Sequence, residues 1–163
     1  MASDFAVGIE IDLQIPDFMD ASVPLGQIAN KVADDSRRNI RQQTNVNGSA
    51  MARLSVKTIK DKRRKRSQYP NLALYRTGIM FNAIHVYNKG KNNFEVGIIP
   101  RGSPSRDLLA LIHAEQGVNQ HTRITRTFLG MTSATLKWAN ARMERWLNER
   151  AQKAAHKFIN LKY

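Results

Sequence analysis

Cysteine is absent from the 163 residues of this chain. That excludes disulfides and every zinc site that needs a thiolate, and it suits a reducing compartment. Long apolar runs are missing too: none approaches the roughly 20 residues that cross a bilayer. The first residues carry no basic stretch followed by an apolar one, so no secretory signal is expected. A soluble protein made in the cytoplasm, with no membrane contact, is the expectation. Glycine and proline are scarce, at nine and five, while 42% of residues are hydrophobic. Such a composition is globular rather than disordered, and the length is that of a single domain, residues 1–163. Catalytic signatures are missing as well. The chain has no GxSxG elbow, no P-loop and no GxGxxG turn. Its four histidines do not fall at ligand spacing. His113 and Glu115 are two apart and diverge on a helix, where metal ligands sit three or four apart. His85 alternates with Ile84 and Val86 as an outward strand residue does. No enzyme, cofactor or metal site is expected.

What the chain has in excess is positive charge, +13 overall. The charge is unevenly placed. Residues 1–24 hold five acids (Asp4, Glu10, Asp12, Asp17, Asp20) and no Lys or Arg, whereas residues 117–163 hold nine Lys or Arg against Glu144 and Glu149. Two ends of opposite sign invite head-to-tail contact between copies. The densest stretch is KTIKDKRRKRSQ, in which seven of the ten residues 57–66 are basic: Lys57, Lys60, Lys62, Arg63, Arg64, Lys65 and Arg66. A helix so uniformly charged does not both pack in a core and read bases, as a recognition helix must. Tyr69 is the one aromatic beside it, so it is no stacking platform. The run is expected to be exposed, and to meet either phosphates without sequence preference or an acidic neighbour.

Periodicity gives the elements. Phe5, Val7, Ile9, Ile11, Leu13 and Ile15 alternate with Ala6, Gly8, Glu10, Asp12 and Gln14, which predicts a long half-buried strand over residues 5–15. Leu25, Ile28, Ala29, Val32, Ala33 and Ile40 recur at helical spacing and predict a helix from about Leu25 to Gln43. The TNVNGS turn ends it. Ser55 is a good N-cap for a short helix that turns Ile59 inward and carries the basic run in its last turns. A helical patch follows over residues 72–81. Then comes a hairpin with Ile84 and Val86 on one strand, Phe94, Val96 and Ile98 on the other, and residues 88–93 between. Asp107 is placed to cap a helix over residues 108–115. Last, Leu136, Ala139, Met143, Trp146, Leu147, Ala151, Ala154 and Phe158 mark one face of a long helix over residues 132–158. The expected fold class is α+β: a small antiparallel sheet packed by helices, with a long C-terminal helix. The strand 5–15 and that last helix are the expected assembly elements.

Four blocks, GSAMARLSVKTIKDK, LYRTGIMFNAI, LIHAEQG and RTFLGMT, stand in this order between Gly48 and Thr132. Together they resemble the phage virion morphogenesis family, the tail-completion proteins of tailed bacteriophages. Leu54-Ser55, Thr58 and Lys60 match its first box, although Met51 stands where Trp is usual. Thr77 and Gly78 match the second. His113 and Gly117 match the third with a stretched spacing, and Arg126, Phe128, Leu129 and Gly130 match the fourth, with Thr127 in place of Pro. The resemblance implies a non-enzymatic virion protein of the head-tail neck, assembled in the host cytoplasm. Its partners would be copies of itself in a closed ring, six being the expected number, and adjoining connector and tail proteins. DNA in the lumen would touch it without base selection. Leu54, Thr77, Gly78, His113, Gly117, Phe128, Leu129 and Gly130 would then be structural. The alternative reading is a small basic nucleic-acid-binding or packaging accessory protein.

Overall fold

The computed structural model describes residues 7–12, 20–74, 79–98 and 126–160. The fold is α+β, with a three-stranded antiparallel sheet and a long C-terminal helix. In chain order the elements are β1 (Val7–Asp12), α1 (Ser22–Gln42), α2 (Val56–Arg64), α3 (Ile79–Asn82), β2 (Ile84–Gly90), β3 (Asn93–Ile98) and α4 (Ser133–Asn160).

The sheet order is β1-β3-β2, so the strand nearest the N-terminus pairs with the second strand of the hairpin. Ile9 faces Val96 and Ile11 faces Phe94, while Val86 faces Val96 from the other side. These residues, with Ile84 and Ile98, form the apolar face that α1 covers. The alternation read over residues 5–15 falls partly on β1; positions 5, 6 and 13–15 lie outside the described residues. The hairpin turn is tighter than the sequence spacing indicated. The strands continue to Gly90 and resume at Asn93, with an irregularity between Asn88 and Gly90. Ladder hydrogen bonds belong to the backbone, so polar Asn88 and Lys89 extend the strand despite breaking the apolar pattern. The Asn88 carboxamide oxygen accepts from the Gly90 N–H at 2.9 Å and fixes the bend.

Helix α1 buries Leu25, Ile28, Ala29, Val32, Ala33 and Ile40, the stripe its spacing defined. It starts three residues before Leu25. Pro24 is acceptable there because a first-turn residue has no intrahelical use for an N–H. The Asp20 carboxylate accepts from the Ser22 N–H, and the Ala21 N–H donates to Asn92 at the hairpin tip. At the far end Gln43 turns left-handed, with φ of 56°. Of the helix expected over residues 72–81, residues 72–74 are not helical and Ile79–Asn82 form the single turn of α3; residues 75–78 lie outside the described residues. Leu74, at φ 59°, is one reason, since a left-handed residue ends a right-handed helix.

Helix α4 opens on Thr132, whose hydroxyl accepts from the Thr135 N–H at 3.0 Å. Ala139 and Trp146 are buried and Met143 packs on the core beside them. Four further residues of the expected apolar face are not covered. Leu136 and Leu147 are 50% and 45% exposed, and Ala151 and Ala154 are exposed too. The reason is geometric. The side chains set against the body are Thr135, Ala139 and Trp146, a stripe one step round the helix from Leu136 and Leu147. A helix of 28 residues, roughly 42 Å long, also outruns the body it rests on.

A buried carboxylate joins the two long helices. Thr135 donates its hydroxyl to Asp35 at 2.6 Å, and Lys31 and Arg38 pair with the same carboxylate. Burial pushes the Asp35 carboxyl up, but hydrogen bonds from Lys31 and Thr135 and the charges of Lys31 and Arg38 outweigh it. The group sits below its ordinary value of 3.8. A lowered folded value means fewer protons bound folded than unfolded. Its stabilisation is therefore present above 3.8 and lost as pH falls through the folded value. Asp35→Asn is expected to cost about 1–3 kcal/mol at pH 7, since hydrogen bonds to a charged group are the stronger kind. Urea titrations at pH 7 and pH 3 will check it: the gap between variant and parent should narrow at the lower pH.

Candidate polyanion interface

Helix α2 has only nine residues, and local devices hold it. The Ser55 hydroxyl accepts from the Thr58 N–H at 3.2 Å, an N-cap. At the other end Arg66 adopts φ 54°, and the N–H groups of Lys65, Arg66 and Ser67 donate to the carbonyls of Asp61, Arg63 and Lys62. Ile59 is half-buried and Val56 is exposed, so little apolar surface anchors the helix.

Of the seven cations in the run, six are exposed: Lys57, Lys60, Arg63, Arg64, Lys65 and Arg66. Lys62 is the correction. It is 6% exposed, and its ammonium donates to the carbonyls of Leu72, at 2.6 Å, and Tyr69, at 3.4 Å. It lies on the inward side of α2 with Ile59, away from Lys57 and Lys60, and the returning chain closes over it. Lys62 is an internal tether for the loop after α2. Lys62→Met keeps the apolar stem and deletes both donations. It is expected to cost about 1–2 kcal/mol, whereas Lys57→Gln or Lys60→Gln should stay within about 0.5 kcal/mol of the parent. Thermal melts of the three variants side by side will separate tether from surface.

The exposed cations are not equivalent. Asp61 pairs with Arg64 at 2.8 Å and Lys65 at 3.1 Å. Hydrogen bonds from those two side chains hold its carboxyl below the ordinary range. Lys57, Lys60, Arg63 and Arg66 have no acidic partner among the described residues. Lys57, Lys60 and Arg64 occupy the side of the helix opposite Ile59 and Lys62, by the 3.6-residue period, while Arg63, four residues after Ile59, stands nearer that residue. Arg53, exposed and also without an ion pair among the described residues, stands two residues before the cap. The sequence reading passed over it because three neutral residues separate it from the run. Its signal was the spacing of four to Lys57.

Two further ties fix the base of this element. Gln43 uses its side chain like a strand: its carboxamide donates to the Ala73 carbonyl at 3.2 Å and accepts the Ala73 N–H at 2.6 Å. On the other flank, Arg126 is 4% exposed and donates through Nε and Nη2 to the Ala52 carbonyl, at 3.2 and 3.1 Å. Burial pushes its guanidinium down from the usual value. The strip that follows lies along the turn after α1. Val46 donates its N–H to the Thr127 carbonyl at 2.7 Å, and the Asn39 carboxamide donates to the Phe128 carbonyl at 3.2 Å. Phe128 is fully buried, and Leu129 packs against the core. Gly130 backs onto Val46 so closely that an added Cβ would stand 2.9 Å from a valine methyl. Blocks one and four of the sequence, residues 48–62 and 126–132, thus meet through Ala52 and Arg126. Leu54 is half-buried before the cap. Thr77, Gly78, His113 and Gly117 lie outside the described residues, as does the helix read over residues 108–115.

Chemically, this surface attracts anions. Among the described residues no three His, Asp or Glu side chains gather to hold a metal ion, and no described helix is long and apolar enough to cross a membrane. Comparisons of the chain with protein-family models, curated proteins and solved structures find no match.

Proposed function

We propose that this chain is a non-enzymatic structural protein of the neck of a tailed-phage particle, closing the tail against the head connector as one member of a ring. The observation that carries the reading is the order of the four blocks. Support comes from the contact of the first with the fourth, in which Arg126 holds the Ala52 carbonyl. A ring of identical copies needs two unlike surfaces that meet head to tail. The acids of residues 4–20 and the excess of cations in the C-terminal half supply opposite signs. A chain of 163 residues is too small to encircle a DNA duplex alone, so several copies share the circumference, six in this proposal.

The second reading is a small basic nucleic-acid-binding or packaging accessory protein, favoured by Lys57, Lys60, Arg63 and Arg66, which lack an acidic partner among the described residues. Finished particles decide between them. Under the neck reading, the chain is recovered with purified particles, and a reconstruction of the neck places it in a six-fold ring. Its absence from particles favours the accessory reading. A two-fold or open arrangement in the neck would remove the ring.

A further inference from the structure

We infer that α2 is a clamp for the phosphate backbone of duplex nucleic acid, used without base selection through Lys57, Lys60, Arg63 and Arg66. The inference rests on the α2 surface rather than on the neck assignment, and it names the partner of that surface.

The charges left over after internal pairing are the first argument. Asp61 answers Arg64 and Lys65, and Lys62 is turned inward onto two carbonyls. Four cations remain, three of them within α2 and Arg66 in the turn that ends it. Their cost to the free chain is the second. Like charges three or four apart on a helix repel by about 0.2–0.5 kcal/mol per pair. Lys57 with Lys60, Lys60 with Arg63 and Lys60 with Arg64 are all such pairs. A helix of nine residues is far below the length that persists alone in water. Here a serine cap, one acid and one inward lysine hold it against its own charge. A polyanion laid along the outer side turns that repulsion into attraction, so binding should make α2 firmer.

Shape is the third argument. Lys57, Lys60 and Arg63 recur every three residues, over roughly 9 Å along the axis of α2, from the rise of 1.5 Å per residue. Arg66 follows at the same interval in sequence, in the turn that ends the helix. A row of evenly spaced positive ends on flexible stems matches a linear run of phosphates. An acidic protein face presents its carboxylates as an irregular set. Base selection is not built in, because the outer side carries no Asn or Gln to read adenine and no aromatic to stack.

The test uses the full chain and a mixed-sequence duplex DNA of 20 base pairs, with polyglutamate of equal charge as the second probe. The logarithm of the duplex affinity should fall against the logarithm of salt concentration with a slope of about −3.6, from four phosphates neutralised. Lys57→Gln, Lys60→Gln, Arg63→Gln and Arg66→Gln combined should bring that slope close to zero without lowering the melting temperature. An unchanged slope in this variant overturns the proposal, and so does affinity that depends on duplex sequence. Polyglutamate bound as tightly as duplex at the same ionic strength would assign the surface to an acidic protein instead. Should the four-fold variant fail to fold, amide exchange in the unaltered chain decides. Duplex must slow exchange across residues 57–66, and no change there sinks the idea. Duplex binding by a chain that is absent from particles would keep this inference and remove the neck reading. Presence in particles without duplex binding would do the reverse.

Discussion

Phe128→Ala is expected to lower the free energy of unfolding by about 3–5 kcal/mol, the usual cost of emptying an aromatic site in a core. Phe128 is the largest fully buried side chain among the described residues, and it belongs to a segment with no regular secondary structure. That segment is bound to the turn after α1 by the Val46–Thr127 and Asn39–Phe128 hydrogen bonds, so it has little freedom to collapse into the void. Domains of this size are stable by only about 5–15 kcal/mol, so the variant should sit near its unfolding midpoint on modest warming. Urea denaturation measures the loss directly, and Phe128→Leu should recover more than half of it. A loss below about 1 kcal/mol would mean that residues 126–130 do not belong to the core.

Gly130→Ala should cost about 1–3 kcal/mol, as overpacking typically does. The new methyl would stand 2.9 and 3.0 Å from the two γ-carbons of Val46, and the backbone at Gly130 has φ of 157°. The two causes separate experimentally. Adding Val46→Ala removes the overlap but leaves the backbone conformation unchanged. The double variant is therefore expected to be more stable than Gly130→Ala alone, though still below the parent. Such a coupling, read from a double-mutant cycle, requires that the two residues touch. If the two effects simply add, the close approach of the glycine to the valine is wrong.

The parts of the fold that sequence reveals are those in which one periodic face meets one neighbour. β1 and α1 were legible for that reason: Ile9 and Ile11, or Leu25, Ile28 and Val32, are spaced by the geometry of the element and buried on one side. The stripe on α4 was legible only in part. Thr135 takes the inward position because Asp35, 100 residues away in the chain, accepts its hydroxyl. An apolar count overlooks that threonine and credits Leu136 instead. The basic run has the same weakness. Composition treats seven cations alike, yet where Lys62 points depends on the chain coming back at Tyr69 and Leu72. The helical period did carry a clue, since Lys62 shares its side with Ile59 and not with Lys57. Gln43 left no trace at all. A polar residue at a helix end gives no sign that its carboxamide will pair with Ala73 as a strand would.

The way α2 is fastened has a mechanical consequence. Between the cap at Ser55 and the tie at Ala73, discrete bonds help to secure the chain, among them Lys62 to two carbonyls and Gln43 to one residue. Short bonds break over a small extension and one at a time, whereas a packed surface yields all at once. Pulled outward, this arm would detach from the sheet and the two long helices while they remain intact, and it would snap back when the load is released. Warming should have the same order, with the arm loosening below the main transition. On that expectation the charge of α2 would travel with the arm.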